Sequence, residues 1–160
     1  MTTLAELTTF RVGGEVSRFV RVTSSEELVA AVRAADEEQR QLLVLGGGSN
    51  LLASDARFDG TVVAVRPGAE IARIVEEDAA GSVIVRVWAG MVWDDFVAWS
   101  VDEHLSGIEA LSGIPGSAGA SPVQNVGAYG HEVAETIHSV EAYDRLEQRI
   151  VRLLPSELGF

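Results

Sequence analysis

Between Ser106 and Gly130 the chain can be neither a long helix nor a regular strand. Glycine stands at 107, 113, 116, 119, 127 and 130 and proline at 115 and 122, and both residue types interrupt the regular backbone ladders. The apolar residues of the stretch, Ile108, Leu111, Ile114, Val123 and Val126, argue against a disordered linker. A compact irregular loop of this length inside a domain is either functional or disordered, and its composition favours the first. Two readings stay open: a tightly packed core loop of small residues, or a backbone surface on which a large flat ligand lies. Ser117, Ser121, Gln124 and Asn125 spread hydrogen-bonding groups along it.

A second segment ends a strand as abruptly. Leu42-Leu43-Val44-Leu45 reads as a buried strand that runs into Gly46-Gly47-Gly48, followed by Ser49-Asn50-Leu51-Leu52. Three glycines let the backbone turn tightly and present consecutive N–H groups, an arrangement that suits a pyrophosphate. The Ser49 hydroxyl and Asn50 amide add donors. It is not a Rossmann fingerprint, because the third small residue would fall on Leu51. Taken alone, the turn reads equally well as a structural bend or as an anion site. Together the two segments favour a ligand with a diphosphate and a flat ring system.

The remaining pattern is mixed. Phe19 to Val22 reads as a short strand, and Ser24 with Glu27 three residues on forms the capping-box pattern of a helix start. Leu28, Ala31, Val32 and Ala35 would share the buried face of that helix. Strands are predicted at Thr61 to Val65, around Ile71 to Val75 and at Val83 to Ala89, and a helix over Val92 to Leu105 with Phe96, Val97 and Val101 inward. Asp94 and Asp95 suit the positive end of that helix. Ile137 to Asp144 and Arg149 to Leu154 read as a hairpin. Pro155-Ser156 looks like a helix start that the chain does not continue, which leads us to expect a sequence cut short at its C-terminus. Unequal spacing of strands and helices predicts an α+β fold with two lobes, about 1–65 and 66–160, rather than a regular βαβ array.

Composition narrows the chemistry. The chain has 160 residues with no cysteine, which removes disulfides, thiolate metal sites and cysteine nucleophiles. All 12 basic residues are arginine, so neither a Schiff-base lysine nor a P-loop lysine is available. A net charge of −12 speaks against nucleic-acid binding. No apolar run is long enough to insert in a membrane and Met1 to Phe10 lacks the marks of a secretory signal, so a cytoplasmic location is expected. His104, His131 and His138 are isolated and read as structural, and no metal site is expected. Trp88, Trp93 and Trp99 read as core and lobe contacts.

Four segments in the same order carry a family resemblance: Thr8 to Gly14, Val44 to Leu52, Ala89 to Trp93, and Gly107 to Gly130. On these the chain resembles the UDP-N-acetylenolpyruvoylglucosamine reductases, flavoenzymes of bacterial cell-wall synthesis. The run Ser112-Gly113-Ile114-Pro115-Gly116-Ser117 with Pro122 to Gly130 is the most specific part. The resemblance implies a two-lobed α+β FAD-binding domain of the vanillyl-alcohol-oxidase type. It implies FAD as cofactor, NADPH as the hydride donor of the complete enzyme, and a UDP-sugar enolpyruvate as its small-molecule substrate. The cofactor-binding positions it implies are Gly46, Gly47, Gly48, Ser49, Asn50 and Leu51 in the first loop. In the second they are Gly113, Ile114, Pro115, Gly116, Ser117, Gly119, Ala120, Ser121, Pro122, Gln124, Asn125, Gly127, Ala128 and Tyr129.

The resemblance implies that the family's tyrosine–arginine pair, serine and glutamate fall beyond the position of Phe160, the last two in a substrate-binding domain expected to be absent from these 160 residues. Ser156 and Glu157 do not stand in for them, so no catalytic residue is assigned and the chain alone is expected to be inactive as a reductase. Two other readings share some of these signals: an FAD-dependent oxidase of the same superfamily, and a non-enzymatic acidic interaction module whose glycines serve packing. None of these signals speaks to oligomeric state.

Overall fold

The computed structural model describes residues 1–69 and 72–160. Its first half is built on a parallel sheet. Strand β1 (Val16–Val22), helix α2 (Ser25–Glu37), strand β2 (Gln41–Leu45) and strand β3 (Phe58–Val65) follow a single-turn helix α1 (Leu4–Leu7). The three strands lie in the order β1-β3-β2, all parallel. As the central strand, β3 is covered on both faces: Val62, Val63 and Ala64 have no exposed surface, the near-continuous apolar run expected of parallel sheets. Burying a valine this completely contributes about 2 kcal/mol.

One face of the sheet packs on α2, where Leu28 and Ala31 meet Val22, Val63 and Val65. The other packs Val62 and Leu45 against Leu4 of α1. The start of α2 is close to the predicted one, with a difference in the cap. The Ser24 hydroxyl accepts from the Glu27 N–H at 3.2 Å, but the Glu27 carboxylate reaches past it to the N–H of Thr23 at 2.7 Å. The helix ends in a Schellman motif, with Gln39 N–H donating to Asp36 O at 3.0 Å and Arg40 N–H to Ala35 O at 2.9 Å.

The second half is a set of antiparallel pieces around helix α3 (Trp93–Asp102): the pair β4 (Ala72–Glu77) and β5 (Val83–Val87), a two-residue pair β6 (Gly127–Ala128) and β7 (His131–Glu132), and the hairpin β8 (Val140–Asp144) and β9 (Arg149–Leu153). Ile71, where the sequence pattern starts a strand, lies outside the described residues. The chain ends in a one-turn helix α4 (Pro155–Leu158), capped by the Glu157 carboxylate on the Leu154 N–H at 2.8 Å.

Helix α3 buries Trp93, Val97 and Ser100, positions i, i+4 and i+7, with Phe96 half-buried beside them. Val101, expected inward, is 50% exposed, because it sits off the edge of that stripe in the last turn. His104, in the left-handed region, closes α3 with a second Schellman motif, its N–H on Val101 O and the Leu105 N–H on Ser100 O. Among the described residues the core around α3 draws on residues 72–137, and the one under α1 on residues 4–62. Trp88 and Ala89 join the α2 face of the sheet and bridge the two halves.

Among the described residues one buried side-chain polar atom lacks a partner. The Thr61 hydroxyl on β3 is buried and forms no hydrogen bond among the described residues. Desolvating a hydroxyl without compensation costs on the order of 1 kcal/mol or more. Thr61→Val, which exchanges that hydroxyl for a methyl in a valine-rich strand, should therefore raise the unfolding free energy by about 1 kcal/mol in urea titration; a loss of stability would mean that the hydroxyl has a partner.

Candidate functional site

The site forms where the parallel strands end, the edge at which open parallel sheets place ligands. Strand β2 stops at Leu45 and the chain turns through Gly46-Gly47-Gly48. Crossing behind the turn, the Arg66 guanidinium donates to the Gly46 carbonyl at 2.5 Å, and the Thr9 N–H donates to the Gly48 carbonyl at 3.0 Å.

The long glycine-rich loop lies against this turn. A Cβ on Gly47 would stand 3.0 Å from the Gly116 Cα, and one on Gly46 would stand 2.6 Å from the Ser117 hydroxyl. Backbone therefore meets backbone, and side chains at these positions would drive the loops apart. Side chains join the loops further along: Ser49 Oγ donates to Pro115 O at 3.3 Å and Asn50 Nδ2 to Gln124 Oε1 at 2.5 Å.

The second loop is held from the other side by the chain leading into α3. Ala118 N–H donates to Met91 O at 2.9 Å, Gly119 N–H to Ala89 O at 2.9 Å, and Trp93 N–H to Gly116 O at 3.1 Å. The Trp93 indole N–H donates to Leu111 O at 2.9 Å. Asp94, assigned from sequence to the helix dipole, anchors the loop directly: its carboxylate accepts from the Gly113 N–H at 2.7 Å and the Ser112 hydroxyl at 2.9 Å. The Gly113 N–H and then the Ser112 hydroxyl hold its pKa below the ordinary value.

Between the loops lies a cleft of about 450 Å³. Of the residues expected to bind a cofactor, Gly46 to Leu51 line it, as do Ile114 to Ser117, Gly119, Ala120, Ser121 and Gln124. Six others do not line it. Gly113 is turned to Asp94, and Pro122 opens a turn of 3-10 helix, Pro122–Gln124. Asn125, left-handed at φ 44°, clamps the Ala134 N–H at 3.1 Å and the Glu132 carboxylate at 2.7 Å. Gly127 and Ala128 pair with His131 and Glu132, and Tyr129 sits at the tip of that hairpin, 90% exposed. The Ser121 hydroxyl is spent within the loop on Ala118 O at 2.8 Å.

Sequence reading missed part of the wall. Val44, Val65, Ala89, Trp93 and Val123 line the cleft; all but Val65 stand in the segments that carry the resemblance, but as apolar residues they give no sign of their own that they line a site.

Two properties define the chemistry of the cleft. None of its lining residues carries an ionisable side chain, so among the described residues its wall offers no acid, base or nucleophilic amine. Its main-chain donors are unspent: the N–H groups of Gly47, Gly48, Ser49, Asn50 and Leu51, and of Ile114, Gly116 and Ser117, donate to no acceptor among the described residues. A series of unspent amides over an apolar floor suits an anion attached to a flat apolar group.

A second hollow, of about 420 Å³, lies between α2 and Ile150. Its walls include Val29 and Ala30 together with Ser25, Glu26 and Arg33, and Arg33 is already engaged with the Tyr143 hydroxyl at 2.9 Å and Gln148 O at 3.0 Å. Elsewhere, His131 Nδ1 lies 3.2 Å from Glu135 at the surface. Among the described residues no group of three or more His, Cys, Asp or Glu is placed to hold a metal, and no helix is long and apolar enough to cross a membrane.

Residues 16–153 match the family described as FAD binding domain. The UDP-N-acetylenolpyruvoylglucosamine reductase of Thermobifida fusca strain YX is 50% identical over 98% of this chain, which covers 43% of that protein. That of Salinispora arenicola strain CNS-205 is 49% identical over 98% of the chain and 42% of its own length. The crystal structure of the UDP-N-acetylenolpyruvylglucosamine reductase from Thermus caldophilus superposes with a TM-score of 0.77 at 30% identity, over 99% of this chain and 53% of that one. The chain thus spans less than half the length of these two curated relatives, and the resemblance read from its motifs is borne out.

The anchoring of the second loop by Asp94 gives an acid-dependent signature. Its carboxyl has a lower pKa folded than unfolded, so the unfolded chain binds more protons in acid. The stabilisation is whole above the ordinary carboxylate pKa, about 4, and is lost as pH falls through the lowered folded value. Asp94→Asn should flatten the fall of the thermal midpoint between about pH 5 and pH 2 relative to the parent chain; parallel curves would show that the carboxylate does not hold the loop.

Proposed function

This chain belongs to the FAD binding domain family, and on that premise we propose that the cleft between its two glycine-rich loops seats the FAD diphosphate. FAD is the cofactor of the family, and the residues present fit it. The observation that carries the placement is the set of unspent N–H groups on Gly47 to Leu51 and on Ile114, Gly116 and Ser117, all of them residues that line one cleft with no ionisable side chain among its lining. Phosphate oxygens accept those hydrogen bonds, while Val44, Val65 and Ala89 give the flat parts of the molecule an apolar wall.

The lobes of the domain, about 1–65 and 66–160, meet at this cleft in the same reading, each contributing one loop. The separate cores over residues 4–62 and 72–137 support that division. Of the expected contacts outside the cleft wall, Tyr129 and Gly127 stand on an exposed hairpin that a long ligand reaches only by leaving the cleft.

The named relatives suggest the reaction. We place this chain as the FAD-binding portion of an NADPH-dependent reductase that converts UDP-N-acetylglucosamine enolpyruvate to UDP-N-acetylmuramate for peptidoglycan, in the cytoplasm. When bound, FAD supplies the two-electron carrier between nicotinamide and substrate. This chain's residues bind and orient it; without an ionisable group in the cleft wall they do not carry the proton that the reduction also needs. A flavin bound without turnover is therefore expected of the chain on its own.

Titration of the chain with FAD should quench flavin fluorescence and raise the thermal midpoint, by an amount equivalent to about 2.7 kcal/mol once free FAD reaches a hundredfold excess over Kd. Gly47→Val, whose branched side chain must occupy the space next to the Gly116 Cα, should weaken FAD binding by roughly tenfold or more while the sheet still folds. A folded Gly47→Val or Gly116→Val variant with unchanged affinity would favour a packing role for the glycines and remove FAD from this cleft.

A further inference from the structure

The chain carries a net charge of −12 and its cleft wall has no cation. A diphosphate placed there must be held against the field of an acidic protein by groups that are not visible from the cleft itself. One arginine stands directly behind the turn. Arg66 follows the central strand β3, and its NH1 donates to the Gly46 carbonyl at 2.5 Å and to the Val65 carbonyl at 3.1 Å. Its main chain is fixed on both sides: its N–H donates to Val22 O at 2.9 Å, and its carbonyl accepts from the Trp88 indole at 2.8 Å. Among the described residues it forms no ion pair within 4.0 Å.

The placement has a directional consequence. The 46–47 peptide is trans, so its C=O and N–H point in opposite directions. With the carbonyl turned back to Arg66, the Gly47 N–H turns away from it. Gly47 lines the cleft, as do Gly46 and Val65, while Arg66 does not, which fits a Gly47 N–H turned to the cleft side. A cation on a carbonyl oxygen also polarises its peptide and makes the N–H a stronger donor. The guanidinium is partly buried, and burial, with a smaller contribution from Arg21, holds its pKa below the ordinary value for arginine; arginine stays charged all the same.

We infer that Arg66 is the positioning residue of the diphosphate site: from behind the Gly46–Gly47 peptide it orients the turn's amides into the cleft and supplies the positive charge that the cleft wall lacks. The inference rests on the FAD reading above. It goes beyond that reading by assigning the electrostatics of the site to a residue that does not touch the ligand.

The test compares the parent chain with Arg66→Met, Arg66→Gln and Arg66→Lys in FAD titrations, alongside the amide NMR spectrum. In the parent, FAD should move the Gly47 N–H resonance downfield. In Arg66→Met and Arg66→Gln the affinity should fall by roughly thirtyfold and that displacement should shrink. Arg66→Lys keeps the charge and one donor, and should stay within about threefold of the parent. A structural role alone would let Gln, which also donates to a carbonyl, rescue as well as Lys. If Met and Gln both bind FAD within about twofold of the parent with the Gly47 displacement intact, or if Gln matches Lys, the inference falls while the FAD reading stands. Should Arg66→Met not fold, the Gln and Lys pair decides. Absence of FAD binding by the parent chain would overturn the underlying reading, and this inference with it.

Discussion

The Gly116 Cα leaves 3.0 Å for any atom that residue 47 might carry toward it, and most of the functional geometry follows from that close approach. Two irregular segments whose contacts span 66 to 74 residues of sequence lie this close because each is fixed from its far side. The parallel sheet does this for the first, delivering Gly46 at the end of a strand whose partner β3 is buried on both faces. The run from Ala89 to Trp93 does it for the second, through main-chain hydrogen bonds to Gly116, Ala118 and Gly119. Asp94 closes that arrangement at Gly113.

Fixing both loops from behind leaves their front faces unspent. In most loops, amides pair with nearby carbonyls or side chains, because a buried donor without a partner is costly. Here, among the described residues, a series of them has no protein acceptor along the cleft, and the cores under α1, α2 and α3 hold the frame on which the two loops rest. Positive charge is kept out of the cleft wall and behind it, in Arg66. In the proposed site the FAD diphosphate would meet only neutral groups.

Much of this frame could be read from the chain alone, for identifiable reasons. The Ser24/Glu27 start, the apolar run into Gly46 and the 137–154 hairpin are local signals, and each lies close to its predicted position. Helix α1 was not predicted from the sequence, although Thr3 and Glu6 repeat the capping-box spacing and both of its hydrogen bonds form. The face of α3 was misjudged at Val101, since residue type marks what can be buried, whereas the stripe from Trp93 to Ser100 decides what is. The glycines of the cleft were visible as glycines, but their pairing across the chain was not, because a close approach between distant segments leaves no local pattern. Arg66 is hidden for the same reason. Nothing around position 66 distinguishes it from eleven other arginines until its guanidinium is seen on the Gly46 carbonyl.

A cradle made of main chain has an unusual relation to mutation. Side-chain sites are defined by the groups they possess, and they fail when a group is removed. At Gly46 and Gly47 the defining property is vacancy, so the space they keep clear is damaged by addition. A saturation scan of this chain would report the cleft as a negative image: positions at which every gain of carbon is penalised, bordered by residues such as Val44 and Val123 that tolerate exchange among apolar types. The ligand's outline would be traced by what the protein must not contain.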